Sequence, residues 1–266
     1  MTLSPPRRWR RPPLISDPLR RYGLYGAALI YLIAAVATVE INWQRVAEGL
    51  DRGWRFVEAF LAPSFSKRWT DIVVGMEESV TMTITATVVG IVVSLPIAIG
   101  AARNLAPPPV YLLCRAIIAI SRSLQEVIIA IFFVAMFGFG PFAGFITLSF
   151  ATIGFFAKLL AEDIEDVDGG QVEAIRATGA SWPQLITFGI LPQVMPRIIG
   201  LSLYRLDINF RESAVIGIVG AGGIGATLNT AIDRYEYDSA AAILILIIVL
   251  VMAAEYASSH VRRWVS

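Results

Sequence analysis

The sequence predicts an all-α, polytopic membrane protein with about six membrane-crossing helices. Three observations carry that expectation. Of 266 residues, 56% are hydrophobic and 16% charged, against about 25% charged in soluble domains, and mean hydropathy is +0.66. A soluble fold of this length has no interior large enough for so much apolar side chain. The apolar residues also gather into long uncharged runs at 23–39, 79–102 and 127–157. Finally, glycine and proline interrupt those runs where one crossing would have to end, as at Gly138-Phe139-Gly140-Pro141.

A helix needs roughly 20 residues to cross ~30 Å of hydrocarbon, and this sets the elements in order. The first crossing lies within 23–43, after a basic segment over 1–22. An amphipathic segment follows at 44–78, where Trp43, Trp54, Phe56, Phe60, Phe65 and Trp69 suit either a helix lying in the membrane interface or packing on the bundle. The core domain runs from 79 to 260. Its first span is 79–102, in which the hydroxyls of Ser79, Thr81, Thr83, Thr85 and Thr87 can bond back to the preceding turn. The run at 127–157 is too long for one crossing. Broken at Gly138–Pro141, it supplies a third span beginning near Ile117 and a fourth over 142–161. A fifth apolar stretch, 198–232, is interrupted by charges and glycines. The sixth is 239–256.

Arginine and lysine in short loops orient such a chain. Arg7, Arg8, Arg10, Arg11, Arg20 and Arg21 precede the first span against one acid, Asp17, so the N-terminus is expected in the cytoplasm. Six crossings return the C-terminus there, with Arg262 and Arg263. Arg103 and Arg115 fall on the same side, as does 158–197, while 44–78 is external. The basic N-terminus, apolar run and Ala35-Val36-Ala37 also fit a cleaved signal peptide; a retained anchor is the reading adopted.

The segment 168–192 is polar among apolar runs. Asp168 can cap a helix of two turns over 171–178, and Gly179 can end it in the left-handed conformation. Ser181-Trp182-Pro183 restarts a helix with serine as cap and proline in the first turn. Leu191-Pro192 is expected to close it and return the chain to the membrane. Ala174, Ala177 and Ala180 would let another surface approach closely, and Glu173 supplies an anchoring charge. A plain polar connector is the alternative.

Glu173-Ala174, four residues, Gly179 and then Leu191-Pro192 at a fixed gap resemble the cytoplasmic signature of binding-protein-dependent ABC importer permeases. That family commonly has alanine at the position of Ile175 and isoleucine at that of Gly189. Arg122–Glu126, Gly138–Gly144, Ala177–Ser181 and Val219–Gly225, spread over roughly residues 75–264, are most similar to the phosphonate-importer permease. Gln125 stands where such sequences carry proline, removing the usual cause of a kink there. The resemblance implies the type I ABC importer permease fold and a bacterial inner-membrane location. It also implies that Glu173, Ala174, Gly179, Leu191 and Pro192 dock an ATPase subunit. Further expected partners are an ATPase dimer, an extracytoplasmic substrate-binding protein, a second permease copy and membrane lipid, with no nucleic acid.

The chain has no G-x-x-x-x-G-K-[ST] phosphate loop, no serine nucleophile elbow and no zinc helix. The only cysteine, Cys114, permits no internal disulfide, and His260 is the only histidine. No cofactor is expected on the chain; the resemblance implies that ATP and Mg²⁺ are bound by the partner ATPase. The expectation is a transport subunit rather than an enzyme.

Arg205, Asp207, Arg211 and Glu212 lie in or beside the fifth span. Charges in hydrocarbon usually face a bundle interior or an aqueous path. They are candidates for the substrate pathway, with an internal ion-pair network as the alternative. Asp207 and Arg211, four apart, can pair, which leaves Arg205 the freer charge. Arg122 and Glu126 have the same spacing and read as a structural pair. Gly220, Gly222, Gly223 and Gly225 satisfy G-x-G-x-x-G, but no soluble strand precedes them and no acid follows about 20 residues on. They mark a helix break or close packing point, a candidate gate. The function expected is permeation of phosphonates or related phosphorus oxyanions, coupled to a separate ATPase. Alternatives are another small solute (phosphite, phosphate or an amino acid), or a channel or intramembrane enzyme.

Overall fold

The structure, a computed structural model, describes residues 17–38 and 42–265, with the side chains of 257 and 261–265 outside the description. Most of the basic segment expected over 1–22 therefore lies outside the described residues. Two compact units divide the chain, Met1–Trp54 and Arg55–Ser266.

In the first unit, α1 (Pro18–Ala37) starts on Asp17, whose side chain accepts from Leu19 N, with proline in the first turn. Proline costs nothing there because its missing N–H would have no helical acceptor. α2 (Trp43–Ala59) begins in this unit.

In the second unit, α3 (Trp69–Gly100) begins ten residues before the expected span and reaches 32 residues. Residues 69–78 thus belong to a spanning helix, not to the amphipathic segment. Upstream, Phe56 packs edge-on against Phe60 and Tyr237, and Ser64 N donates to Asp238 O.

The expected third span is corrected in two ways. It begins at α4 (Pro108–Ser123), not near Ile117, and it is broken. Leu124 and Gln125 are both extended, and α5 (Glu126–Phe137) leaves at 92° to α4. The sharp bend forms without the proline usual at 125.

Gly138 and Gly140, both at positive φ, turn the chain into α6 (Pro141–Glu165). Then come α7 (Gly169–Ala177), the single turn α8 (Trp182–Gln184), a π-helical turn over Leu185–Ile190, and α9 (Leu191–Ile218). Leu191-Pro192 does not close a helix, as expected from the sequence, but opens α9. The Leu191 N–H bonds Ile186 O, five residues back. That wider turn accommodates Pro192, which has no N–H to give and whose ring would strike a carbonyl of a regular turn. The fifth stretch is two helices, because α10 (Gly223–Asp233) is separate and short; α11 (Tyr237–Val265) closes the chain. Among the described residues, five helical segments are long and apolar enough to cross a membrane, or six if α4 and α5 count as one.

α3, α6 and α9 form the centre. In lipid, apolar burial does not drive helices together; close packing and interhelical hydrogen bonds do. Small residues permit the approach. A Cβ on Gly90 would lie 2.5 Å from Thr152 Cβ, and one on Gly144 would lie 2.5 Å from Ala221 O. Around Phe156, Leu160 and Ile164, residues Ala98 and Ala101 of α3's end and Ile190 and Val194 complete an apolar cluster. A second joins Met82, Ala86, Leu148 and Ile216.

Candidate functional site

Two regions carry chemistry. The first is the segment 168–192, held at the end of the bundle where α3 stops and α6 stops. Asp168 caps α7 by accepting from Gly170 N (2.9 Å), and its own N–H donates to Gln193 Oε1 (3.0 Å). On α7, Val172 and Ile175 are half-buried, while Glu173, Ala174, Arg176 and Ala177 are exposed. Gly179 has φ +79° with open space around it. Ser181 and Gln184 form a capping box, with Ser181 N donating to Gln184 Oε1 (2.8 Å). Trp182 Nε1 donates to Leu105 O (3.4 Å) in the loop after α3. Beside it, Arg115 pairs with Glu165 (2.9 Å), Arg103 N donates to the same carboxylate, and Arg197 pairs with Asp163 (3.0 Å). The segment is thus anchored along one face and open on the other.

The two family departures face each other. A Cβ on Gly189 would lie 3.7 Å from Ile175 Cγ1 and 3.6 Å from Leu185 Cδ1. The larger residue at 175 fills room left by the missing side chain at 189.

The second region is a polar layer inside the bundle. Asn209, fully buried, donates from Nδ2 to Thr87 Oγ1 (2.8 Å) and Thr152 Oγ1 (3.1 Å). Arg205, 2% exposed, donates from Nε to Thr152 Oγ1 (3.1 Å) and lies 5.2 Å from the Phe155 ring centre. The Thr152 hydroxyl donates to Leu148 O (2.6 Å). It is therefore fully used, with two bonds accepted and one given. Arg205 Nη2 and Asn209 Oδ1 have no partner in the structure.

The four charges singled out on α9 separate into two faces. Arg205, Asn209 and Glu212 follow helical spacing toward the bundle. Glu126 and Glu212 attract Arg205 electrostatically. Asp207 and Arg211 form their own ion pair (2.8 Å), with the arginine side chain 55% exposed and the aspartate 13%. The expected Arg122–Glu126 pair is corrected. Among the described residues no ion pair joins them, because the break at Leu124-Gln125 removes the continuous helix that i, i+4 pairing requires.

The chain breaks within Gly220–Gly223, and α10 folds back on α9. A Cβ on Gly225 would lie 2.0 Å from Ala214 O, and one on Gly217 2.6 Å from Gly222 O. Gly223 N donates to Glu78 Oε2 (2.9 Å) and Ile224 N to Ser79 Oγ (2.9 Å), while Gly140 N donates to Gly220 O (3.0 Å). A carboxylate from α3 thereby occupies the positive end of α10. Glu78 is not singled out by the sequence reading; its signal is an acidic pair, Glu77-Glu78, directly before an apolar run. Ser79 is expected there only to bond back to its preceding turn, and instead accepts from α10. Asn209 was also missed, although a polar residue four after Arg205 in an apolar stretch invites attention. Thr85 and Thr87 bond back to the preceding turn, but Thr83 Oγ1 donates to Asn209 O and Ser79 accepts from α10.

At the start of α3, Arg68 binds Glu236 and Asp71, and Lys67 binds Asp238. The hydrogen bond from Arg68 holds the Glu236 carboxyl below the usual carboxylate range.

A multi-pass helical chain with a presented surface segment and a polar layer between its spans is built as a membrane transport component. A profile of the family described as "Binding-protein-dependent transport system inner membrane component" matches residues 90–266, and the chain belongs to that family. The "Phosphate-import permease protein PhnE" of Mycolicibacterium smegmatis is 38% identical over 255 residues, covering 94% of this chain. The chain spans about half of that relative, 48% of its length. The "Phosphite transport system permease protein PtxC" of Stutzerimonas stutzeri is 40% identical over 187 residues, 70% of this chain and 68% of that one. Among solved structures, an inward-facing form of the MetNI methionine ABC transporter matches with TM-score 0.66 and 25% identity, covering 76% of this chain and 99% of that chain.

Proposed function

We propose that this chain is the permease subunit of an ATP-driven importer for phosphonates or related phosphorus oxyanions. The reading rests chiefly on α7, which is anchored by Val172 and Ile175 and by the caps at Asp168 and Ser181. It leaves Glu173, Ala174 and Ala177 exposed for docking. The names of the phosphate, phosphite and phosphonate permease relatives support the substrate class. A separate ATPase pair binds ATP and Mg²⁺, and a second permease copy completes the pathway. A binding protein delivers solute outside. ATP-driven closure moves α7 and, through the continuous π-turn, α9. Energy enters through contacts that differ between the two states.

The test is uptake by proteoliposomes carrying the permease reconstituted with a candidate ATPase and binding protein from the same organism, using methylphosphonate, phosphite, phosphate and methionine. Import of a phosphorus oxyanion is expected. Import of methionine alone overturns the substrate class. Cysteine labelling at Ser4, Gln171 and Ser258 should show all three on the cytoplasmic side. External labelling at Gln171 refutes the docking role.

A further inference from the structure

The bend between α4 and α5 borders a partly open cavity of about 380 Å³ lined by Ser121, Arg122, Ser123, Glu126, Phe155 and Arg205, among others. We propose that this cavity is a binding site within the permease for a protonated tetrahedral oxyanion, with Arg205 as its anchor. The proposal deepens the phosphorus-oxyanion reading and rests on it.

Four observations converge. Arg205 is buried, yet its Nη2 has no acceptor. Leaving a buried guanidinium N–H unpaired is costly. Glu126 and Glu212 act on Arg205 only through space; among the described residues neither forms an ion pair with it. Part of the planar fork therefore carries an unsatisfied N–H of the kind that pairs with the two oxygens of an oxyanion. Arg122, exposed on the same cavity, brings a second cation. The 92° break also points the N-terminus of α5, a 12-residue helix, into this region, and Gln125 provides no side-chain cap. A helix N-terminus favours anions, and broken spans present such ends at transporter sites. The volume lies in the lower part of the range for small-molecule pockets, about 300–1,000 Å³.

Glu126 supplies discrimination. Its carboxylate repels a fully deprotonated anion but can accept a hydrogen bond from P–OH. Phosphoryl groups with a second pKa of about 6 keep such a proton on a fraction of molecules near neutrality. Sulfate has none to offer.

The test uses the assembled permease–ATPase complex with the binding protein omitted, in a Cys114→Ala background. A cysteine introduced by Ser123→Cys reports on the cavity through its rate of modification by a charged thiol reagent. Methylphosphonate and inorganic phosphate should slow modification, and sulfate should not. Arg205→Gln should raise the concentration needed for protection about ten- to a hundred-fold, the equivalent of losing a charge-assisted hydrogen bond. Glu126→Gln should let sulfate protect. If neither phosphorus oxyanion protects Ser123→Cys, or if sulfate protects it equally, the proposal fails. Should Arg205→Gln not assemble, the protection pattern in otherwise native protein still decides. Intact uptake of phosphonate by a complex showing no protection would overturn this site and leave the transport reading standing. Protection without uptake would do the reverse.

Discussion

Gly179 allows the docking role of α7 to be tested without disturbing the bundle. Its φ is +79°, and a Cβ there would meet no atom within 4 Å. Substitution therefore introduces no clash, only the cost of holding a side chain in the left-handed region. That cost is roughly 1–2 kcal/mol for an ordinary L-residue, with β-branched residues at the upper end. It acts on a nine-residue helix tied down by caps rather than on the membrane core. An energy of this size changes the population of the presented turn by a factor of about 5–30. Asparagine tolerates the same backbone region. Gly179→Val is thus expected to reduce ATPase activity stimulated by loaded binding protein about five-fold or more, with the melting temperature of the isolated permease little changed. Gly179→Asn should retain most activity. The assay is ATP hydrolysis in nanodiscs containing the full complex. Equal activity for the valine and asparagine variants would refute the reasoning, because a backbone requirement must separate them.

Three further outcomes follow from the packing. Gly189→Ile should destabilise the permease by about 1–3 kcal/mol through overpacking, since Ile175 and Leu185 already stand at contact distance from a Cβ there. Adding Ile175→Ala should restore the melting temperature, and failure of that rescue would mean the two positions do not compensate. Arg211→Gln should cost about 1 kcal/mol, near the upper limit for exposed pairs, because Asp207 is mostly buried and its Oδ1 already lacks a partner. Asp207→Asn with Arg211→Gln should recover that loss in thermal melting; a double variant no better than the single would contradict the pairing. Glu236, depressed by Arg68, contributes stability above its unfolded pKa of about 4.3. That contribution is lost as pH falls through the lower folded value. The melting difference between wild type and Arg68→Gln should therefore be constant near neutrality and shrink below about pH 4; a difference independent of pH counts against the assignment.

Much of the architecture was legible in local sequence. Uncharged runs marked the spans because hydrocarbon excludes charge over a helix length. Gly138–Pro141 marked the turn between α5 and α6, since glycine at positive φ and proline at a helix start act through their own backbones. Asp168, Gly179 and Ser181 announced α7 and its neighbour for the same reason. The Asp207–Arg211 pair was readable because both partners sit one turn apart on a continuous helix. What depends on distant residues was not readable. Leu124 and Gln125 carry no breaking signal, yet the span bends by 92° there, so Arg122 and Glu126 do not pair. Pro192 looked like a terminator, but the π-turn before it carries the helix on. Glu78 meets the amide of Gly223 across 145 residues, and Asn209 meets Thr87 across 122. Hydropathy and helical spacing report the solvent a segment needs and the face it can offer. Only the packed fold decides which distant donor meets which acceptor, and so which buried arginine is left with a hydrogen bond to give.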